Sequence, residues 1–393
     1  MEQYQYIIIN DVKYIIIPDA TKYKFYKEKN NKLETLTEEE YEKINSIYNP
    51  EYNDIWYSQT LEKITFENES LNQIPILNAL ERLENLIPEK YRERFYQKLK
   101  TLKIIPITET SNKDEADALS AYRPSTNTIV FNYKNIYDKL KKNNPNITSK
   151  EITAYSLQTL IHEIVHMASS EYTENLKSSY VGFNKYPCEK LSDNNIALTE
   201  GMTEMLANYI YPLSFVDYKT IAYGHEVRLV QQLSLIAGND CLIDVFFGNK
   251  NLSEIENRLL DIAKGTVIEP HSDKKRVSTM FMMIESNYNA INNKKAEEIE
   301  FPNIKHLNHK HNTLFLIQNT LFLYLTAKCE KLYKNKDINA INELLTAYEK
   351  VLITPEMEKL ILNGVNIENE YLDQNVQDFE LLKERYLGKN ISR

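Results

Sequence analysis

The strongest constraint on the fold is a helical spacing of apolar residues that recurs along the chain. Its clearest instance follows Thr148-Ser-Lys-Glu151, which has the form of a capping box. Apolar residues then stand at positions i, i+3, i+4, i+7, i+8 and i+11, from Leu157 to Ala168. This pattern predicts a helix that is buried in the protein.

The same spacing predicts helices on both sides of this segment. Residues 71–102 have the pattern of two helices divided by Pro88, because proline interrupts a helix. Another helix is expected from Asn195 to about Tyr211. The remaining predicted helices cover residues 218–236, 240–247, 252–263, 275–291, 312–333, 338–352 and 368–386.

A smaller part of the chain has the character of β-strands. Apolar runs at 6–9 and 14–17 flank Asn10-Asp11, which predicts a β-hairpin. Residues 22–57 are expected to form a solvated connector with one short helix after Thr37. Runs at 103–107 and 127–132 predict a small mixed sheet. The expected fold is therefore α+β and mostly α.

We expect three parts along the chain. Residues 1–65 contain the hairpin and connector, residues 66–268 form a domain around the buried helix, and residues 269–393 form a helical C-terminal region. The second boundary is placed near 265–274, where Pro270 and a charged cluster interrupt the helices. A single continuous helical body is the alternative for the second half.

Composition and charge narrow the class of protein. The formal net charge of −9 argues against nucleic acid as a partner, since phosphate binding needs a basic face. The three cysteines are too sparse for a disulfide framework, and no signal peptide is recognised, so a cytoplasmic location is expected. The longest apolar run, residues 314–327, is shorter than the roughly 20 residues that a membrane span needs. The oligomeric state is left open.

The buried helix contains a candidate metal-binding motif, His162-Glu163-Ile164-Val165-His166, of the form H-E-x-x-H. Residues four apart on a helix differ by about 40° around the axis, so both imidazoles can reach one ion. Glu163 lies on the flank of that face, where it can hold a water molecule and accept its proton. Two histidines leave a catalytic zinc site incomplete, because such a site normally has three protein ligands.

The next predicted helix offers the missing ligand. It contains Thr199-Glu200-Gly201 and a second carboxylate, Glu204, on the same face. We predict that Glu200 is the third ligand and that Glu204 accepts the outer N–H of a coordinating imidazole. Gly201 would permit a close approach of the two helices. Rival third ligands lie in the intervening polar stretch: Glu171, Glu174 and Asp193.

These motifs resemble those of the gluzincin group of zinc metallopeptidases, which includes thermolysin-like enzymes and aminopeptidases with an Asn-Glu-Gly motif. The resemblance covers about residues 148–211 and departs from the aminopeptidases at Thr199, where they have Asn, and in a longer gap between the motifs. Metzincins are excluded because Ser169 and Tyr172 stand where they have Gly and His. The resemblance implies bound Zn²⁺ and a zincin-like catalytic domain at 66–268. It also implies an edge strand that pairs with an extended peptide, for which Thr128–Phe131 is the candidate.

The implied activity is zinc-dependent hydrolysis of a peptide or protein substrate, with Glu163 as general base. An endopeptidase is favoured because the aminopeptidase Gly-x-Met-x-Asn run is absent. Tyr223 and His225 are candidate donors to the oxyanion, since they open the next predicted helix. One alternative is a zincin scaffold that acts as a non-catalytic binding or regulatory protein. Another is hydrolysis of a small amide, although the Cys and Gln motifs of peptide deformylases are not found.

Overall fold

The computed structural model describes residues 5–9, 12–19, 22–29, 32–37, 40, 65–66, 69–70, 73–106, 118–173, 178–186, 195–213, 223–292, 304–357 and 370–388. The chain divides into two compact units, Met1–Met167 and Ala168–Arg393. Their boundary falls inside the range predicted as one domain, 66–268. The predicted division into three parts stays a prediction.

The first unit begins with a four-stranded antiparallel sheet. Strands β1 (Gln5–Ile9) and β2 (Val12–Asp19) form the predicted hairpin, and β3 (Lys22–Lys29) and β4 (Lys32–Thr35) continue it. The prediction of a solvated connector is therefore wrong for residues 22–29 and 32–35. The missed signal is the alternation Lys-Tyr-Lys-Phe at 22–25, which has the period of a strand.

The helix predicted after Thr37 lies largely outside the described residues. Thr37 and Glu40 make the contacts of a capping box. Glu40 donates its backbone N–H to Thr37 Oγ1 at 3.2 Å, and Thr37 donates its own N–H to Glu40 Oε2 at 3.2 Å. A short pair of strands, β5 (Thr65–Phe66) and β6 (Glu69–Ser70), follows.

Two helices and a mixed sheet precede the motif helix. Helices α1 (Gln73–Leu86) and α2 (Glu89–Thr101) are divided at Pro88 as predicted. The sheet has the order β7-β9-β8, in which β7 (Lys103–Pro106) runs parallel and β8 (Ser120–Arg123) antiparallel to β9 (Thr128–Phe131). The expectation that 128–131 is an edge strand is therefore wrong. It is the central strand, and all four of its residues are buried.

Helix α3 (Tyr133–Asn143) leads to the motif helix α4 (Ser149–Ala168). The predicted capping box is formed, because Thr148 donates its N–H to Glu151 Oε2 at 2.8 Å and Glu151 returns its own N–H to Thr148 Oγ1 at 3.3 Å. The Thr148 hydroxyl also donates to Glu151 Oε2, at 2.7 Å, and the hydrogen bonds from the N–H and hydroxyl of Thr148 lower the pKa of Glu151. From Tyr155 to Ala168 only Thr159 is not buried, so this part of α4 is enclosed on nearly all sides.

The second unit opens with a small sheet that the sequence analysis did not predict. Strands β10 (Ser170–Thr173), β11 (Ser178–Val181) and β12 (Asn184–Tyr186) are antiparallel. A two-residue turn, Gly182-Phe183, joins β11 to β12, and Gly182 adopts a positive φ of 57°. The turn needs a glycine there, since other residues adopt this conformation at a cost.

The rest of the second unit is helical. The helices begin and end within a few residues of the predicted positions, except that one begins at Gly224 rather than 218 and another at Ile304 rather than 312. They are α5 (Ile196–Ile210), α6 (Gly224–Ala237), α7 (Asn239–Gly248), α8 (Ser253–Ala263), α9 (Lys274–Asn292), α10 (Ile304–Lys334), α11 (Ile338–Glu349) and α12 (Glu370–Tyr386).

Helix α10 is the central element of this helical part, because it packs against α6, α8, α9, α11 and α12. Lys328 on α10 donates from Nζ to the carbonyl oxygens of Leu235 and Ile236 at 2.6 and 3.0 Å, at the C-terminal end of α6. Burial lowers the pKa of Lys328. Across the described ranges no helix is both long and apolar enough to cross a bilayer. The fold is mostly α with small sheets, which confirms the predicted class.

Candidate metal centre

Helix α4 presents two histidines as neighbours on one face. The Nε2 atoms of His162 and His166 lie 3.1 Å apart. Two nitrogen ligands of one tetrahedral zinc ion are separated by about 3.3 Å, given zinc–nitrogen distances of about 2.0–2.1 Å. Both residues are buried, since 9% of the surface of His162 and 7% of that of His166 is exposed. The pair therefore has a spacing that suits two ligands of a single cation.

Glu200 of α5 completes a group of three. One ligand atom each from His162, His166 and Glu200 lie within 4.8 Å of one another. Among the described residues this is the one group of three or more His, Cys, Asp or Glu side chains able to hold a metal ion. Two imidazoles and a carboxylate are donors that zinc uses in hydrolytic sites, although other divalent metals accept them too.

The rival ligands do not enter this group where the structure describes them. Glu171 is exposed on β10, where its Oε2 accepts a hydrogen bond from Asn249 Nδ2 at 3.0 Å. Glu174 and Asp193 lie outside the described residues. Glu200 is therefore the carboxylate that the described part of the chain brings to the two histidines.

The hairpin β11–β12 holds the start of α5. Thr199 Oγ1 accepts the backbone N–H of Phe183 at 3.2 Å and donates to the carbonyl oxygen of Val181 at 3.4 Å. On its other side the turn donates the Gly182 N–H to the carbonyl oxygen of Ser169 at 3.0 Å. Thr199, the residue beside Glu200, is thus bound to a turn that is itself bound close to the end of α4.

Two further contacts fix α5 within the second unit. A Cβ built on Gly201 would lie 2.6 Å from both the carbonyl carbon and oxygen of Glu226, so α5 and α6 are in close contact there. The sequence predicted that Gly201 would allow α4 and α5 to approach closely, and the close contact at Gly201 is instead between α5 and α6. From α9, Glu285 Oε2 accepts the Ala197 N–H at 2.9 Å and so caps the first turn of α5. Burial raises the pKa of Glu285.

Glu163, the predicted general base, is 6% exposed. Its Oε1 accepts a hydrogen bond from Ser120 Oγ at 2.6 Å. Ser120 is the first residue of β8. Sequence reasoning missed this contact, because Ser120 follows a segment rich in Asp, Glu and Ser and no local pattern distinguishes it from its neighbours.

Glu204 lies one turn after Glu200 on α5 and is 6% exposed. Its Oε1 accepts a hydrogen bond from Asn208 Nδ2 at 3.1 Å. This contact orients the carboxylate along its own helix. The predicted role of Glu204, accepting the outer N–H of a coordinating imidazole, stays a prediction.

The two candidate oxyanion donors lie at the start of α6. Tyr223 precedes the helix in a left-handed conformation, with φ of 59°, and its ring stacks on that of Tyr288 with centroids 6.2 Å apart. His225 is the second residue of the helix and is 3% exposed. A bulky residue at positive φ is uncommon and is maintained by its surroundings. The roles predicted for Tyr223 and His225 stay predictions.

The geometry defines the class of site: a candidate cation centre with two imidazoles and one carboxylate as ligands. A second carboxylate, that of Glu163, lies in the same helical turn as the imidazoles. Comparison of the chain with protein-family models, curated proteins and solved structures gives no match. The motif in the sequence and the positions of these side chains are therefore the features that bear on function.

Proposed function

We propose that the chain is a zinc-dependent peptidase of the gluzincin type, an endopeptidase that hydrolyses a peptide or protein substrate. The observation that carries this proposal is the grouping of ligand atoms of His162, His166 and Glu200 within 4.8 Å, in which the two histidines belong to an H-E-x-x-H motif. A zincin-like arrangement of the small sheet and helix α4 is part of the same proposal.

Each member of the site has a distinct role. His162, His166 and Glu200 hold the ion. Bound Zn²⁺ supplies a Lewis acid that polarises the carbonyl and lowers the pKa of water to about 7. Glu163 orients the attacking water, accepts its proton and delivers that proton to the leaving amine. The buried surroundings of Glu163 strengthen these interactions, since charges interact more strongly where water is excluded.

The substrate binds along β8 in this proposal. β8 is an edge of the β7-β9-β8 sheet within the described residues, and its first residue contacts Glu163. An extended peptide that adds to the outer edge of β8 gains backbone hydrogen bonds and lies beside the general base. This replaces β9, the strand expected from the sequence, as the peptide-binding strand.

The test combines metal analysis with a digest of a peptide library, read by mass spectrometry. We expect about one zinc per chain and cleavage by the wild type, since the described residues contain one group of three candidate ligands. Glu163→Gln is expected to lower kcat by about 10² to 10⁴-fold because the proton acceptor is lost, while zinc stays bound. Glu171→Gln, an exposed change on β10, is the matched control and is expected to cleave like the wild type.

Two outcomes would refute the proposal. If Glu163→Gln cleaves as fast as the wild type, the assigned mechanism is wrong. If the wild type binds zinc and cleaves no peptide in the library, the zincin scaffold is better explained as a binding or regulatory protein.

A further inference from the structure

Ser120 is the partner of the candidate general base. Its Oγ lies 2.6 Å from Glu163 Oε1, a distance typical of a hydroxyl that donates to an ionised carboxylate. Among the described residues Ser120 is the one donor that contacts this carboxylate. A buried carboxylate needs such a partner, because leaving it without hydrogen bonds is costly.

The backbone around Ser120 is held in place on both sides. Ser120 is paired with Phe131 in the antiparallel ladder of β8 and β9. The carbonyl oxygen of Leu119 accepts the Asn132 N–H at 2.8 Å, and that of Ala118 accepts from Asn135 Nδ2 at 3.2 Å. The serine hydroxyl is therefore attached to a fixed part of the sheet and has only one side-chain torsion between it and the backbone.

Glu163 is the flexible member of the pair. Three rotatable bonds separate its carboxylate from the backbone of helix α4. The hydrogen bond from Ser120 to Oε1 reduces the rotational freedom of these bonds. A proton acceptor must lie within about 2.6–3.2 Å of the proton donor, so the position of the second oxygen decides whether proton transfer occurs.

We propose that the Ser120 hydroxyl is a positioning residue for the reaction, holding Oε1 of Glu163 so that Oε2 faces the attacking water. This inference rests on the proposed peptidase function and adds to it a residue outside both metal-binding motifs. Ser120 acts through Glu163 and takes no proton itself. The sheet thus contributes the orientation of the base as well as the edge that binds the peptide.

The expected effect is on turnover rather than on binding. Displacing a catalytic group by about 1 Å can lower the rate about 10²-fold. Loss of the Ser120 hydroxyl is therefore expected to lower kcat by about 10- to 100-fold and to leave KM within about threefold. Zinc content is expected to be unchanged, because Ser120 is not one of the three ligands.

The test compares Ser120→Thr with Ser120→Val in the full-length chain. Both side chains have nearly the same shape and suit a strand, and only threonine has the hydroxyl. Zinc per chain, the unfolding midpoint, kcat and KM are measured on a peptide identified in the library digest. We expect Ser120→Thr to retain kcat within about threefold and Ser120→Val to show the full decrease. Ser120→Ala, compared with the wild type, provides the same test without added bulk.

The outcomes separate this inference from the proposed function. If the wild type cleaves peptides in a Glu163-dependent manner and Ser120→Val and Ser120→Ala keep the wild-type kcat, the role of Ser120 is refuted and the peptidase remains. A loss confined to KM, or a loss of zinc in Ser120→Val and Ser120→Ala, also refutes a positioning role. If the wild type lacks Glu163-dependent cleavage, the proposed function fails and the inference fails with it.

Discussion

Replacing Gly201 by alanine tests how closely α5 must pack in order to hold Glu200. A Cβ at this position would lie 2.6 Å from the backbone of Glu226, whereas ordinary contact begins at 3.4 Å. The two helices would have to separate locally by about 0.8 Å, and a backbone neighbour cannot rotate away as a side chain can.

The expected loss of stability follows from two opposing effects. Alanine is favoured over glycine inside a helix by about 1 kcal/mol. Overpacking costs about 1–3 kcal/mol. We take the upper value because the added Cβ would meet the backbone of Glu226, which cannot rotate away. The net decrease in the free energy of unfolding is therefore about 2 kcal/mol. If the second unit, Ala168–Arg393, unfolds as one cooperative unit, this corresponds to a decrease in its Tm of about 4–8 °C.

The assay is thermal unfolding of the wild type, Gly201→Ala and Gly388→Ala, together with zinc binding. Gly388→Ala is the control, since its Cβ would lie 3.8 Å from Glu384 Cβ, an ordinary contact. It is expected to change stability by less than about 0.5 kcal/mol. Zinc affinity is expected to fall in Gly201→Ala alone, because Glu200 moves with α5. If Gly201→Ala is as stable as the wild type, the close packing of α5 on α6 is not a constraint and the reasoning is wrong.

Two further predictions concern the contacts that hold α5. Thr199→Val leaves the buried Phe183 N–H without its acceptor and is expected to cost about 1–3 kcal/mol in urea unfolding, so an unchanged midpoint would contradict the role of this hydroxyl. Burial raises the pKa of Glu285 in the folded protein above its ordinary value of 4.5. As pH rises from 4.5 through this higher pKa, Glu285 ionises at a cost in the folded state, and the free energy of unfolding of the wild type falls. Glu285→Gln keeps an acceptor for Ala197, and its stability relative to the wild type is expected to increase over that range. If the stability difference between Glu285→Gln and the wild type does not change with pH, the raised pKa of Glu285 is not its cause.

The helices could be predicted because their signals are local. Helix α4 follows from a capping box and from apolar residues on a 3.6-residue period, and both involve residues close in sequence. The strands at 22–35 were missed because their stability comes from pairing. Tyr23 lies opposite Pro18 and Phe25 opposite Ile16, and a lysine-rich segment does not disclose such partners.

The position of β9 shows the same limitation. Its apolar residues correctly predicted a strand, but its place in the sheet depends on parallel pairing with β7, which is separated from it by more than twenty residues of sequence. Ile129 lies opposite Ile104 on one side and Tyr122 on the other. A central and an edge strand can have similar sequences, so the prediction of an edge was wrong.

For the candidate site, the sequence by itself determined that His162 and His166 face the same way, because a spacing of four residues on a helix places two side chains together. It also determined that α5 presents Glu200 and Glu204 on one face. Only the tertiary structure decided that Glu200 joins the histidines, that Thr199 is bound to the Gly182-Phe183 turn, and that Ser120 contacts Glu163. These contacts join residues far apart in the chain, and their partners are set by packing, which no local pattern records.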